Sequence, residues 1–193
     1  MWNSQVIIML LEGIRDTLYM TLASTLFGYI IGLPMGIVLT VTDKDGIRPN
    51  AAVYKVLDVI SNLLRSIPFI ILLIVLIPFT RFVVGRSYGS TATIVPLTIA
   101  AAPYIARMVE SSLKEVDAGV IEAARSMGAS DFQIVTKVML VEARTSLIVG
   151  ATISLGTILG YSAMAGTVGG GGLGDIAIRY GYTRWQTDIM VVT

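Results

Sequence analysis

The sequence contains no cysteine and no histidine, and only 14% of its 193 residues are charged. Each shortage excludes something. Without cysteine there are no disulfides, no thiol catalysis and no thiolate metal sites. Without histidine the commonest general base and the commonest metal ligand are gone. A soluble domain is about 25% charged, so this chain has too few charges to clothe a water-facing surface. The balance of Lys+Arg against Asp+Glu is 14 to 13, which leaves no basic excess for nucleic acid. What is present is apolar: hydrophobic residues make up 54% and the mean hydropathy is +0.78. The composition points to an integral membrane protein, and the length to one domain.

Long stretches without charge set the architecture. They are Thr17–Thr42, Ser66–Thr80 extended upstream through Val59–Leu64, Ser87–Ala106 and Thr145–Gly174. A helix needs roughly 20 apolar residues to cross the hydrocarbon layer. The second stretch is long enough if Arg65 snorkels or faces protein. A fifth apolar run, Ile189–Thr193, has just begun where the chain stops and reads as a truncated fifth span. Barrel strands would alternate apolar and polar residues, whereas Ile70–Leu76 is continuously apolar. The expected class is therefore all-α, with spans at about 17–41, 59–80, 88–106, 145–165 and from 187 onward. Gln5–Ile14 reads either as an interfacial helix or as an extension of the first span. Lysine and arginine total eight on the 43–58 and 107–144 loops and five on the opposite side. The positive-inside rule then places the N-terminus outside and residues 107–144 in the cytoplasm.

The first four spans contain no aspartate, glutamate or histidine, groups that ion-coupled carriers place at mid-membrane depth. No catalytic set, metal site or cofactor is expected, and a membrane-embedded enzyme is disfavoured on the same ground. The chain lacks a G-x-x-x-x-G-K-[ST] loop. Gly169, Gly171 and Gly174 fit G-x-G-x-x-G, but they follow an apolar helix rather than a strand, and a glycine-rich external loop is the better reading. Any nucleotide energy would come from a partner. Pro34, Pro68, Pro78, Pro96 and Pro103 fall in the spans, where they free carbonyls and bend helices; ordinary proline enrichment explains them equally well. Gly28, Gly32 and Gly36, and Gly156 with Gly160, form G-x-x-x-G steps that favour helix packing, within one chain or between chains. Tyr161, Ser162 and Met164 stand amid small residues near the outer end of the fourth span, and they are candidates to line or gate a pathway.

Residues 107–144 are the most informative. Asp117 can cap a helix over about 118–128, and Gly128 can end it in the left-handed conformation. Val120, Ile121, Ala124 and Met127 share one face. Ser130–Gln133 reads as a capping box that opens the next helix. Lipid surface and protein docking are both open to such a helix on these grounds.

Glu122-Ala123-Ala124-Arg125-Ser126-Met127-Gly128 resembles the E-A-A-x-x-x-G core of the cytoplasmic loop in type I ABC-importer permeases. The family's next segment, I-x-L-P, reads Val138-Met139-Leu140-Val141 here, with the proline absent. Gly13–Leu18 and Arg65–Phe69 also look like family segments. Gly160–Gly166, the glycine run and Gly181-Tyr182 look more narrowly like the methionine-importer permeases. The resemblance implies a five-span permease in the bacterial inner membrane. It implies a homodimer around one pathway, a pair of cytoplasmic ATPase subunits docked on Glu122, Ala123, Ala124, Arg125 and Gly128, and an external binding lipoprotein. The implied activity is ATP-driven import of D- or L-methionine by alternating access. A permease for another polar amino acid or an osmolyte, and a non-transporting membrane scaffold, are the competing readings.

Overall fold

A backbone inside hydrocarbon has no water to bond, so its N–H and C=O groups must pair within the segment. The computed structural model, which describes residues 4–193, obeys that constraint with helices; no strand occurs among the described residues. In chain order they are α1 (Ser4–Thr42), α2 (Ala51–Ser66), α3 (Phe69–Val75), α4 (Ile77–Val84), α5 (Ser90–Lys114), α6 (Ala118–Ser126), α7 (Asp131–Gln133), α8 (Leu140–Glu142), α9 (Arg144–Ala165), α10 (Gly172–Ile176) and α11 (Thr187–Val192). Wider π turns occupy Ile134–Met139 and Ala177–Tyr182. Three helical stretches, beginning at Ser4, Ser90 and Arg144, are long and apolar enough to cross a membrane, and α2 with α3 adds a fourth if they form one broken span. The chain forms two compact units. One comprises the residues up to Phe27, Ile67–Ala100 and Leu155–Thr193; the other comprises Gly28–Ser66 and Ala101–Ser154.

Several elements differ from the sequence reading. Helix α1 is continuous from Ser4, so Gln5–Ile14 extends the first span instead of forming a separate surface helix. The stretch expected as one span over 59–80 is divided among α2, α3 and α4. Pro68 sits immediately before α3 with φ −54° and ψ 133°, and Pro78 falls in the first turn of α4. Proline has no N–H to give a preceding turn, and it fits a helix start. Pro34, Pro96 and Pro103 lie inside α1 and α5.

In the first unit Met20, Phe69, Leu73, Leu97 and Ala165 form a buried cluster with Tyr161 against it. The glycine run is a packed turn rather than an open loop. Gly172 has φ +74°, and a Cβ there would come within 2.6 Å of the Thr17 hydroxyl oxygen. That oxygen accepts from the Leu173 N–H at 2.9 Å. The sequence's G-x-G-x-x-G match thus joins α9 to α10 and seats α10 on α1.

In the second unit, Gly28, Gly32 and Gly36 let α1 lie directly on α5. A Cβ at Gly32 would stand 2.7 Å from the Ala102 carbonyl oxygen, and one at Gly28 would stand 3.0 Å from the Ala101 Cβ. This first glycine stripe therefore packs within the chain. Gly156 and Gly160 have no neighbour within 4 Å of such a Cβ. The contrast gives a prediction. Gly32→Val should lower the stability of the purified protein by about 1–3 kcal/mol, the usual cost of overpacking, while Gly156→Ala should not lower it. Thermal unfolding midpoints in one detergent check both.

Candidate functional site

The site is built on α6 and its two boundaries. Asp117 holds φ −60° and ψ 130° and accepts the Gly119 N–H at 2.7 Å, satisfying a donor that a helix start leaves free. At the other end Gly128 has φ +83°. The Ala129 N–H reaches the Ala124 carbonyl at 3.1 Å and the Gly128 N–H reaches that of Arg125 at 2.9 Å, the paired bonds of a Schellman stop. Ser130 and Gln133 then form the reciprocal capping box. Beyond the box the chain does not continue as the expected regular helix. It enters the π turn Ile134–Met139, with Ile134, Val135 and Met139 buried. Helix α6 packs against that turn.

These stops fix which side chains α6 presents. Glu122 and Ala123 are exposed, and Met127 is 82% exposed, with Phe132 beyond it at 76%. Ala124 is 5% exposed. The expected shared face of Val120, Ile121, Ala124 and Met127 is therefore split. Ala124 is buried against the protein's own chain. Arg125 is also engaged internally: its Nη2 donates to the Ile47 carbonyl at 2.9 Å and lies 3.8 Å from Asp131. The docking set expected from sequence thus separates into Glu122 and Ala123, exposed, Ala124, buried, and Arg125, exposed but bonded to its own chain, with Gly128 at the turn.

The pathway candidates are not brought together. Tyr161 stacks on Phe69, with ring centroids 4.6 Å apart and planes 3° apart. Ser162 is 1% exposed and its hydroxyl donates to the Leu159 carbonyl at 2.7 Å on its own helix. Only Met164 is exposed, at 46%. Successive residues of a helix point about 100° apart, so Tyr161 and Ser162 turn into the unit while Met164 turns away.

The structure adds a set of charges that the span-by-span reading did not assemble. Helix α5 runs past the expected boundary at 106 to Lys114 and carries Arg107, Glu110 and Lys114 on one side. Arg107 pairs with Asp58 and lies 2.6 Å from Glu110; Lys114 lies 2.8 Å from Glu110 and 2.6 Å from Asp43. Tyr54 donates to Glu110 at 3.3 Å, and the Asn62 side-chain oxygen accepts from Arg107 at 3.2 Å. Glu110 is 4% exposed, so the alternation of sign is what permits its burial. The i, i+3, i+7 spacing of Arg107, Glu110 and Lys114 was a visible signal; their partners Asp58 and Asp43, far away in sequence, were not.

With this geometry in place the relationships of the chain can be stated. The family profile for binding-protein-dependent transport system inner membrane components matches residues 17–191. The chain belongs to that family and is a type I ABC-importer permease, a multi-pass membrane protein. It is 48% identical over 185 residues to the probable D-methionine transport system permease protein MetI of Vibrio cholerae, covering 96% of this chain and 82% of that one. It is 54% identical over 158 residues to MetI of Escherichia coli, covering 82% and 73%. Among solved structures it matches a chain of the MetNI methionine ABC transporter in inward-facing conformations, with TM-score 0.97 and 51% identity, over 99% of this chain and 88% of that one. A more distant amino acid ABC transporter, at 20% identity and TM-score 0.77, shares the fold.

Asp43 supplies a prediction about pH. The Lys114 ammonium, donating to its carboxylate, holds Asp43 below its ordinary pKa of 3.8, against the opposing effect of partial burial; the Lys44 N–H acts in the same direction as Lys114. A lowered carboxylate pKa contributes stability that is complete above the ordinary value and is lost as the pH falls through the lowered one. The stability advantage of the wild type over Asp43→Asn should be constant near neutrality and shrink below about pH 4. Unfolding midpoints of both proteins across pH 3–7 check this.

Proposed function

We propose that the chain is the permease subunit of an ATP-driven methionine importer. Two copies form the pathway, α6 receives a separate ATPase subunit in the cytoplasm, and an external lipoprotein delivers the amino acid. The observation that carries the reading is α6 itself. It holds the E-A-A sequence between a side-chain cap at Asp117 and a left-handed stop at Gly128, with Glu122, Ala123 and Met127 turned outward. The narrower substrate assignment is supported by relatives about half identical over most of the chain that are named as D-methionine permeases. Burial of Ala124 changes how docking works: Ala123 and Glu122 meet the partner, while Ala124 sets how closely α6 sits on its own chain.

The domain is a single transmembrane one, with its first four spans drawn from α1, the α2–α4 stretch, α5 and α9 and a fifth beginning near Thr187. The N-terminus lies outside, as the eight-to-five bias in lysine and arginine supports. Cysteines placed singly at Ser126 and Ser87, in a chain that has none of its own, report this: an impermeant thiol reagent applied to intact cells should label Ser87→Cys and spare Ser126→Cys. Of the three pathway candidates, Met164 has the side chain free to meet substrate or the second copy.

Function is tested in cells deprived of their own methionine importer. Expression with the cognate ATPase and binding lipoprotein should restore uptake of labelled methionine. Competition with other polar amino acids and osmolytes should fail to displace it. Gly128→Val should insert but lose both ATPase recovery and uptake, because a β-branched residue at φ +83° is strained by about 1–3 kcal/mol. Uptake of a different solute in preference to methionine would refute the substrate, and normal ATPase recovery by Gly128→Val would refute the docking role.

A further inference from the structure

Between α1 and α2 the chain makes a short strap, residues 43–50, whose attachments are unusually one-directional. Its backbone folds onto the end of α1: the Arg48 N–H donates to the Val41 carbonyl at 3.0 Å and the Asn50 N–H to that of Thr42 at 2.9 Å. Asn50 in turn opens α2, its side-chain oxygen accepting from the Val53 N–H at 3.2 Å. The strap is therefore a rigid corner that closes one helix and starts the next.

On its other side lies a cavity of about 430 Å³, whose walls include Asp45, Gly46, Ile47, Lys114, Glu122 and Arg125. Helix α6 packs on the π turn, but on the side that borders the cavity it can shift without moving what lies beyond. Two long side chains bridge the gap. Arg125, from α6, bonds the Ile47 carbonyl at 2.9 Å. Lys114, from the end of α5, pairs with Asp43 at 2.6 Å and with Glu110 at 2.8 Å. Glu110 continues the chain of charges through Arg107 to Asp58 on α2. Arg125 thus ties α6 itself to the corner, and Lys114 ties to it the last residue of α5, from which the chain runs directly into α6.

We propose that residues 43–50 are a transmission strap, through which displacement of α6 is passed to the α1–α2 corner by the Arg125–Ile47 and Lys114–Asp43 contacts instead of being taken up by the cavity. Asp43 and Lys114 are then positioning residues for the ATP-driven step, acting through the strap rather than touching substrate or nucleotide. The inference rests on α6 being the ATPase-docking element. The physical reason is that a conformational bias must travel through a contact that resists deformation. Two charge-assisted bonds, one at the start of an eight-residue corner and one at its middle, resist it, whereas an empty cavity does not.

The test uses the full chain assembled with its ATPase in proteoliposomes. Asp43→Asn and Lys114→Met should still recover the ATPase and hydrolyse ATP near the wild-type rate. Methionine taken up per ATP should fall on the order of 5-fold or more, the range of an allosteric coupling lost. Asp43→Glu keeps the pair and should retain most of the coupling, which a packing defect would not allow. A second measurement is independent of transport. Spin labels on cysteines at Asp45 and Ala118, both on the cavity wall, should give one narrow distance distribution, unchanged by ATP in the otherwise wild-type chain and broadened by Lys114→Met. Wild-type uptake per ATP in both variants, or a wild-type distance that changes when ATP binds, overturns the strap. If a variant fails to assemble, the wild-type distance decides. Failure of the docking reading itself is distinguished by Gly128→Val retaining the ATPase, an outcome that the strap variants do not affect.

Discussion

Everything in this molecule stems from the inability of hydrocarbon to hydrogen-bond a backbone. The chain answers with helices and places each interruption where another group takes over the freed backbone valence. Pro68 breaks the path before α3, and the first turn of α3 bonds back to its carbonyl, the Leu72 N–H at 3.0 Å. Several hydroxyls in the apolar helices obey the same constraint, while those of Thr21 and Thr98 are buried without a partner. Thr25 donates to the Thr21 carbonyl at 2.7 Å, Thr40 to that of Gly36 at 2.9 Å and Ser154 to that of Gly150 at 2.7 Å. A polar group in such a helix is inexpensive only when it spends its hydrogen on its own turn.

The charges obey a complementary rule. Few are present, and around the buried Glu110 they alternate in sign, from Asp58 through Arg107, Glu110 and Lys114 to Asp43. Removing one member would strand its neighbours in a poorly solvated place, a far larger penalty than the loss of one surface pair. The network lies where helix α5 leaves the uncharged stretch. It fastens α2 and the end of α1 to α5 in the same unit that carries α6.

The sequence made the helical class, the uncharged stretches and the boundaries of α6 legible, because each depends on residues close together in the chain. Asp117, Gly128 and the Ser130–Gln133 box act within three or four positions of themselves, and the structure places all of them as read. Contacts that depend on distant residues were not legible. Whether Gly28, Gly32 and Gly36 pack within the chain is decided by Ala101, Ala102 and Ile105 on another helix. The helical period alone put Ala124 with Met127, yet one is buried and the other exposed, because burial depends on what packs against α6, and the π turn there is not a periodic feature. Tyr161 stood out in the sequence by its size among small neighbours, but its stacking on Phe69, 92 residues away in the chain, could not be read there.

That π turn has an implication for how the segment can vary. A π turn is an α-helical stretch holding one residue more than its hydrogen-bond ladder needs. Each residue added to or removed from a helix rotates everything beyond it by about 100°. Insertions and deletions within the 131–142 helical stretch would therefore act as a dial, swinging α6 as a body around the axis of that stretch with respect to the start of α9 while leaving every side chain on α6 unchanged. For homologous chains the spacing across this stretch is thus as much a determinant of which face α6 shows as the residues on it. A lineage could re-aim the helix by losing one codon.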